Sequence, residues 1–273
     1  MSRYAIRPAL LAAMAVIASG CSDGGSPSTT PQVNFSLATR GGAAPALATA
    51  PSFSASTPES FTDGTNTLVL DQVDLVLRKI ELKRSEATTG CGESEGNDAC
   101  EELELGPILL SLPLGTAGAE RAFSVAVAPG TYGGVEFEIH PPSGSEDAAF
   151  LQANPAFAGV SVHATGTYNG TAFDFMSDLE AEQEAHFATP LVVAEGASAD
   201  LTLFVDLDGW FRDAGGALVD PATAAAGQSN ESLVKENIKR AFDAFEDDDH
   251  DGADDNDEDH GGDGGTDDGP NHT

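Results

Sequence analysis

The chain has 273 residues, with 12 Lys and Arg against 45 Asp and Glu, for a net charge of −33. That length holds one large domain or two small ones. A surplus of negative charge this large argues against nucleic acid and anionic membrane surfaces as partners, and suits cations, basic partners or a saline setting.

Arg3 and Arg7 precede an apolar run, Ala9 to Ala18. About ten apolar residues are too few to span a bilayer but suit a signal peptide. The run closes on Ile17-Ala18-Ser19-Gly20-Cys21. This ending resembles the lipobox of bacterial lipoproteins: a small or apolar residue, Ser or Ala, Gly, then Cys. The family prefers Leu where Ala18 stands. The resemblance implies that residues 1–20 are removed and that Cys21 carries lipid. The bland alternative is an ordinary secretory signal that happens to contain a cysteine. Ser22, rather than Asp, follows the cysteine. By resemblance this implies the bacterial outer membrane, with the domain on its periplasmic or exposed face. No other apolar run approaches the ~20 residues of a membrane helix.

Residues 21–32 are rich in Ser, Gly, Pro and Thr and read as a flexible linker. Val33 to Leu37 alternates apolar and polar residues, which predicts a half-buried strand. Gly41 to Pro58 reads as a long loop. Leu68 to Arg84 is the most strand-like stretch. Val73, Leu75 and Leu77 share one face, while Ile80 and Leu82 keep the period but are out of phase. A β-bulge near Arg78-Lys79 restores it. A helix is the rival reading there, but β-formers dominate and no cap precedes the run.

Ser85 to Glu102 is a polar excursion containing Cys91 and Cys100. In an oxidising compartment a lone pair this close predicts a disulfide. A metal pair is the alternative, but no second pair completes a four-ligand zinc site. Leu103 to Leu114 is a second apolar run.

Phe123 to Val127, the turn Ala128 to Tyr132 and Val135 to Ile139 read as strand, turn, strand, a hairpin. The pattern Val125-x-Val127-x-Pro129-Gly130-Thr131-Tyr132-x-x-Val135-x-Phe137 resembles bacterial lipoprotein domains with a transthyretin-like or carboxypeptidase-regulatory-like β-sandwich. In style the resemblance extends from Val33 to Trp210. Asn169-Gly170 joins the alternating runs Val160–Tyr168 and Thr171–Met176, which predicts a type I′ hairpin. Leu179 to Phe187 has helical composition but strict alternation, with Glu180, Glu182, Glu184 and His186 on one side. It reads as a strand, followed by two more at Leu191–Ala194 and Ala199–Leu207. Gly215-Gly216 ends the sheet. The fold expected is an all-β, antiparallel sandwich of Ig- or transthyretin-like type over residues 33–228.

Residues 229–246 read as one amphipathic helix. Ser229 or Asn230 caps it, Glu231 lies in its first turn, and Val234, Ile238, Ala241, Phe242 and Phe245 form its apolar stripe. Residues 247–273 read as a disordered acidic tail.

The tail opens with D-D-D-H-D-G-A-D-D-N-D-E. Calcium takes many hard oxygen ligands, and the EF-hand loop supplies them from positions 1, 3, 5, 7, 9 and 12, with Gly at 6. Those positions are Asp247, Asp249, Asp251, Ala253 through its carbonyl, Asp255 and Glu258, with Gly252 at the turn. The loop resembles EF-hand loops and the thrombospondin-type-3 calcium loops of surface proteins. It departs from a paired EF-hand at Asp254, where the family has an aliphatic residue, and no second helix follows. A composition-driven acidic tail is the plain alternative. His250, His260 and His272 offer weak ligands to softer metals.

No G-x-S-x-G, H-E-x-x-H or phosphate-binding glycine loop occurs. His163 and His186 fall on predicted strands and read as structural. Asp206 and Asp208 read as strand-end caps. The function expected is a non-enzymatic envelope lipoprotein, structural or ligand-binding, with a weak calcium site. The alternatives are a surface adhesion or matrix module contacting an envelope or extracellular protein or polysaccharide, and an accessory enzyme with an unrecognised site.

Overall fold

Eighteen residues, Thr67–Arg84, form a strand (β3) along which most of one sheet is laid. The computed structural model describes residues 30–39, 57–85, 101–102, 106–115 and 119–246. Strands usually run 3–10 residues, and β3 reaches its length by bending. Its core-facing side chains are Leu68 and Leu70, then Val73, Leu75 and Leu77, then Ile80 and Leu82. The register shifts between Leu77 and Lys79, where the phase of the sequence requires a bulge. A second shift, between Leu70 and Gln72, repeats the device.

Both edges of β3 are occupied. Leu75 is flanked by Leu110 and Val162, and Leu77 by Ile108 and Ile139. One edge therefore carries β2 (Glu59–Thr62), β4 (Glu101–Glu102) and β5 (Ile108–Ser111). The other carries β7 (Gly130–Ile139) and β8 (Val162–Tyr168) end to end, with helix α1 (Ala148–Ala153) in the excursion between them. Outside them lie β9 (Thr171–Ser177) against β8 and β10 (Ala181–Val193) against β7. The β8–β9 turn has positive φ at both Asn169 and Gly170, as a type I′ hairpin requires.

The second sheet has the order β12-β11-β1-β6, from β1 (Gln32–Thr39), β6 (Glu120–Ala126), β11 (Ser198–Val205) and β12 (Phe242–Glu246). One apolar cluster takes Val33, Phe35, Leu201, Leu203 and Val205 from this sheet and the inward residues of β3, β7 and β10 from the other. The fold is an all-β sandwich.

Five expectations are corrected. The sandwich is not wholly antiparallel, because β1 pairs β11 in parallel. β1 is accordingly interior, and Val33 to Thr39 is buried on both faces rather than one. The Pro129-Gly130-Thr131-Tyr132 segment is not a hairpin: β6 pairs β1 in one sheet while β7 pairs β3 and β10 in the other. The turn is an arch between sheets. Tyr132 is fully buried there, its hydroxyl donates to the Ala128 carbonyl at 2.7 Å, and the Arg84 guanidinium lies 5.4 Å above its ring.

Leu179–Phe187 and Leu191–Ala194 belong to one strand, β10, with an irregularity between His186 and Leu191. The C-terminal helix is also shorter than expected. Helix α2 spans Glu231–Lys239 and buries Val234 and Ile238. Asn230 occupies its cap position, but the side-chain amide donates to Thr223 Oγ1 at 2.8 Å instead of accepting from the helix. Phe242–Glu246 then pairs with Leu201–Val205 as an edge strand. There Phe242 meets Phe137 edge-on at 5.6 Å and Phe245 lies 6.3 Å from Phe204. A free sheet edge and two aromatic contacts outweigh the helical spacing of these residues.

Candidate functional site

Cys21, Cys91, Cys100, Asp247, Asp249, Asp251, Ala253, Asp255 and Glu258 all lie outside the described residues. The placement of β12 nevertheless corrects one premise of the calcium loop. The residue before Asp247 is the last of a strand, so no entering helix leads into the loop. Among the described residues no group of three or more His, Cys, Asp or Glu is arranged to hold a metal ion, and no helix is long and apolar enough to cross a membrane.

Two acidic features stand out in the described part. The first is the outer face of β3, β7 and β10. Cross-strand register sets Glu81, Glu136 and Glu184 in one row and Lys79, Glu138 and Glu182 in the next. Like charges directly opposite one another are unfavourable. The face answers with Lys83, which bridges Glu136 and Glu184, and Lys79, which pairs with Glu81. Burial works against the charge on Lys83, but its bonds to Glu136 and Glu184 outweigh this and raise its pKa. Farther out the carboxylates are open to water: the Glu180 side chain is 70 % exposed beside His140, and Glu182 is exposed. His186 is exposed, 3.8 Å from Glu184. His163 pairs with Asp174 at 2.9 Å and packs edge-on against Phe157, a structural setting.

The second feature is a corner built around Glu59, at the start of β2. Glu59 pairs with Leu70 and Phe61 with Leu68, both core residues, so the Glu59 side chain points inward. It is 6 % exposed, and its Oε2 has no hydrogen-bond partner. Burial raises its pKa to about 7; a bond from the Gly115 backbone opposes the shift, and the carboxylates of Asp206 and Asp208 add to it.

Asp206 and Asp208 do shape the end of β11. The Asp206 carboxylate accepts from the Asp208 amide at 3.1 Å. Asp208 Oδ1 receives Arg212 Nη2 at 2.6 Å, and the same nitrogen reaches the Thr62 carbonyl at 3.4 Å. Arg212 thus joins this turn to the far end of β2. Asp63 makes a second tie, accepting from the amides of Thr65, Asn66 and Leu218. Those bonds, from Asn66 above all, hold its pKa well below the usual carboxylate range.

Glu59 escapes a reading of the sequence, where residues up to Pro58 read as loop. The signal that could have found it is the short run Glu59-Ser-Phe-Thr, in which Glu shares the parity of Phe. No family model, curated protein or solved structure matches the chain.

Proposed function

We propose that the chain is a non-enzymatic, lipid-anchored envelope protein that presents an acidic β-sandwich close to a bacterial outer membrane. The observation that carries this reading is the apolar run ending in Ala18-Ser19-Gly20-Cys21, followed by a short polar spacer and then the first strand at Gln32. A spacer of about ten residues reaches at most ~35 Å. An anchor on Cys21 would therefore hold the sandwich within one domain diameter of the lipid. Calcium bound by the loop from Asp247 to Glu258 would stiffen the chain just beyond β12.

The test is Cys21→Ser with fractionation of the envelope. The wild-type chain is expected in the outer-membrane fraction and the variant in the soluble fraction. A variant that stays in the membrane fraction removes the lipoprotein reading.

The acidic rows on β7 and β10 favour a second reading, an adhesion module whose basic partner docks on the outer sheet face. Pull-down from envelope extracts, compared with a Glu180→Gln, Glu182→Gln double variant, separates it from a purely structural role.

A further inference from the structure

We propose that Glu59 is a proton-operated latch: neutral, it lets β2 stay packed in the sandwich beside the Asp206–Arg212 turn; ionised, it loosens β2 there. The geometry has three parts. The carboxyl points into the core from a four-residue strand at one end of the sheet. One oxygen is served by the Gly115 backbone, whereas Oε2 faces no donor. A neutral carboxyl tolerates that setting; a carboxylate there lacks the second donor it needs.

The surrounding charges point the same way. Asp206 and Asp208, in the turn after β11, place negative charge near enough to Glu59 to disfavour its ionisation. The cation of the corner, Arg212, is committed to the Asp208 carboxylate and to the carbonyls of Asp208, Gly216 and Thr62. From β3, the opposing residue is Leu70, and from the segment after β5 it is Gly115, neither of them charged. Among the described residues no counter-ion offsets a negative Glu59, and two like charges oppose it. An inward-pointing charge also discourages edge-to-edge pairing of β2, but that role alone does not require the carboxyl to titrate near neutrality.

The corner contains its own reporter. Trp210 is the only tryptophan of the chain and is fully buried within the same turn. The experiment is a pH titration of the purified full chain, from pH 5 to 9 with EDTA present. It follows Trp210 emission and hydrogen exchange of the Glu59–Thr62 amides. Emission should move to longer wavelength, and exchange of β2 should accelerate, through a midpoint near 7.

Glu59→Gln should abolish the transition between pH 6 and 8. Asp206→Asn keeps an acceptor for the Asp208 amide and should lower the midpoint by ~0.5 pH unit, which also decides the matter if Glu59→Gln fails to fold. A flat wild-type titration, a transition unchanged in Glu59→Gln, or a midpoint unmoved by Asp206→Asn would overturn the latch. So would a response to added calcium at fixed pH in place of the response to protons.

Discussion

Glu59 and Asp63 stand four residues apart and titrate in opposite senses. Asp63, wrapped by backbone donors, is lowered; its contribution is present above the ordinary carboxylate range and lost only in acid. Glu59 is raised from 4.5 to about 7. Between those values the folded chain keeps a proton that the unfolded chain has released. Its contribution is therefore full below the unfolded value and is lost as pH rises through 7. The loss should be on the order of 1–3 kcal/mol. Urea midpoints are expected to fall from pH 5 to pH 8 in the wild type and to show less decline in Glu59→Gln. Parallel pH profiles for the two proteins would contradict this assignment. Little of this was legible beforehand. Beyond its shared parity with Phe61, a lone Glu beside a proline-rich segment carries no sign of burial until it meets β3.

At the scale of elements, β3 was the most readable part of the chain. Its phase change located the bulge at Leu77–Lys79, because an apolar face cannot keep facing the core across an inserted residue. The second bulge, at Asp71, passed unread: Leu70 and Val73 are three apart, a spacing a helix also allows. The structure now gives it a test. Gly166, on β8, lies against this bend, and an added Cβ would run into the Val69 carbonyl, with Leu70 Cα at 3.1 Å. Gly166→Ala should cost about 1–3 kcal/mol by overpacking, read as a lower urea midpoint. A neutral result would mean that the bend yields easily. The chain from Phe242 to Glu246 misled for a clear reason. Val234, Ile238, Phe242 and Phe245 fit a helical stripe, and only the free edge of β11 reassigns the last two. Phe242→Ala removes the contact with Phe137 and should destabilise by roughly 1–2 kcal/mol. If Phe242 belonged to a solvent-facing helix end, calorimetry would find almost no change.

For the molecule as a whole, the sandwich class was visible in alternation and turns, whereas its wiring was not. Parity along a strand says which residues share a face, but not which strand lies alongside. That is why β6 and β7 read as a hairpin although they serve different sheets. A calcium loop from Asp247 to Glu258, as proposed, would act at this scale too, relieving part of a net charge of −33. An isolated loop should bind weakly, with Kd of roughly 10⁻⁴–10⁻³ M. Calcium at a hundred times Kd would add about 2.7 kcal/mol. Melting temperature should rise with calcium, and exchange protection should spread into β12 rather than into a helix. Asp251→Ala with Glu258→Ala should erase the rise, while neutralising Asp263, Asp267 and Asp268 should leave it. Equal loss from both sets would reduce the effect to screening of a polyanion.

The parallel pairing of β1 with β11 governs the order in which the chain can assemble. β1 is made early, yet its contact with β11 joins Asn34 to Asp200 across 166 positions, and its contact with β6 joins Asn34 to Ser124 across 90. One edge of β1 can be met by β6, but the edge that β11 covers must wait, apolar and unpaired, until most of the chain has followed it. Pairings this distant slow folding and prolong the exposure of sticky edges. Among the described strands, β1 is therefore the first to emerge and among the last to be secured.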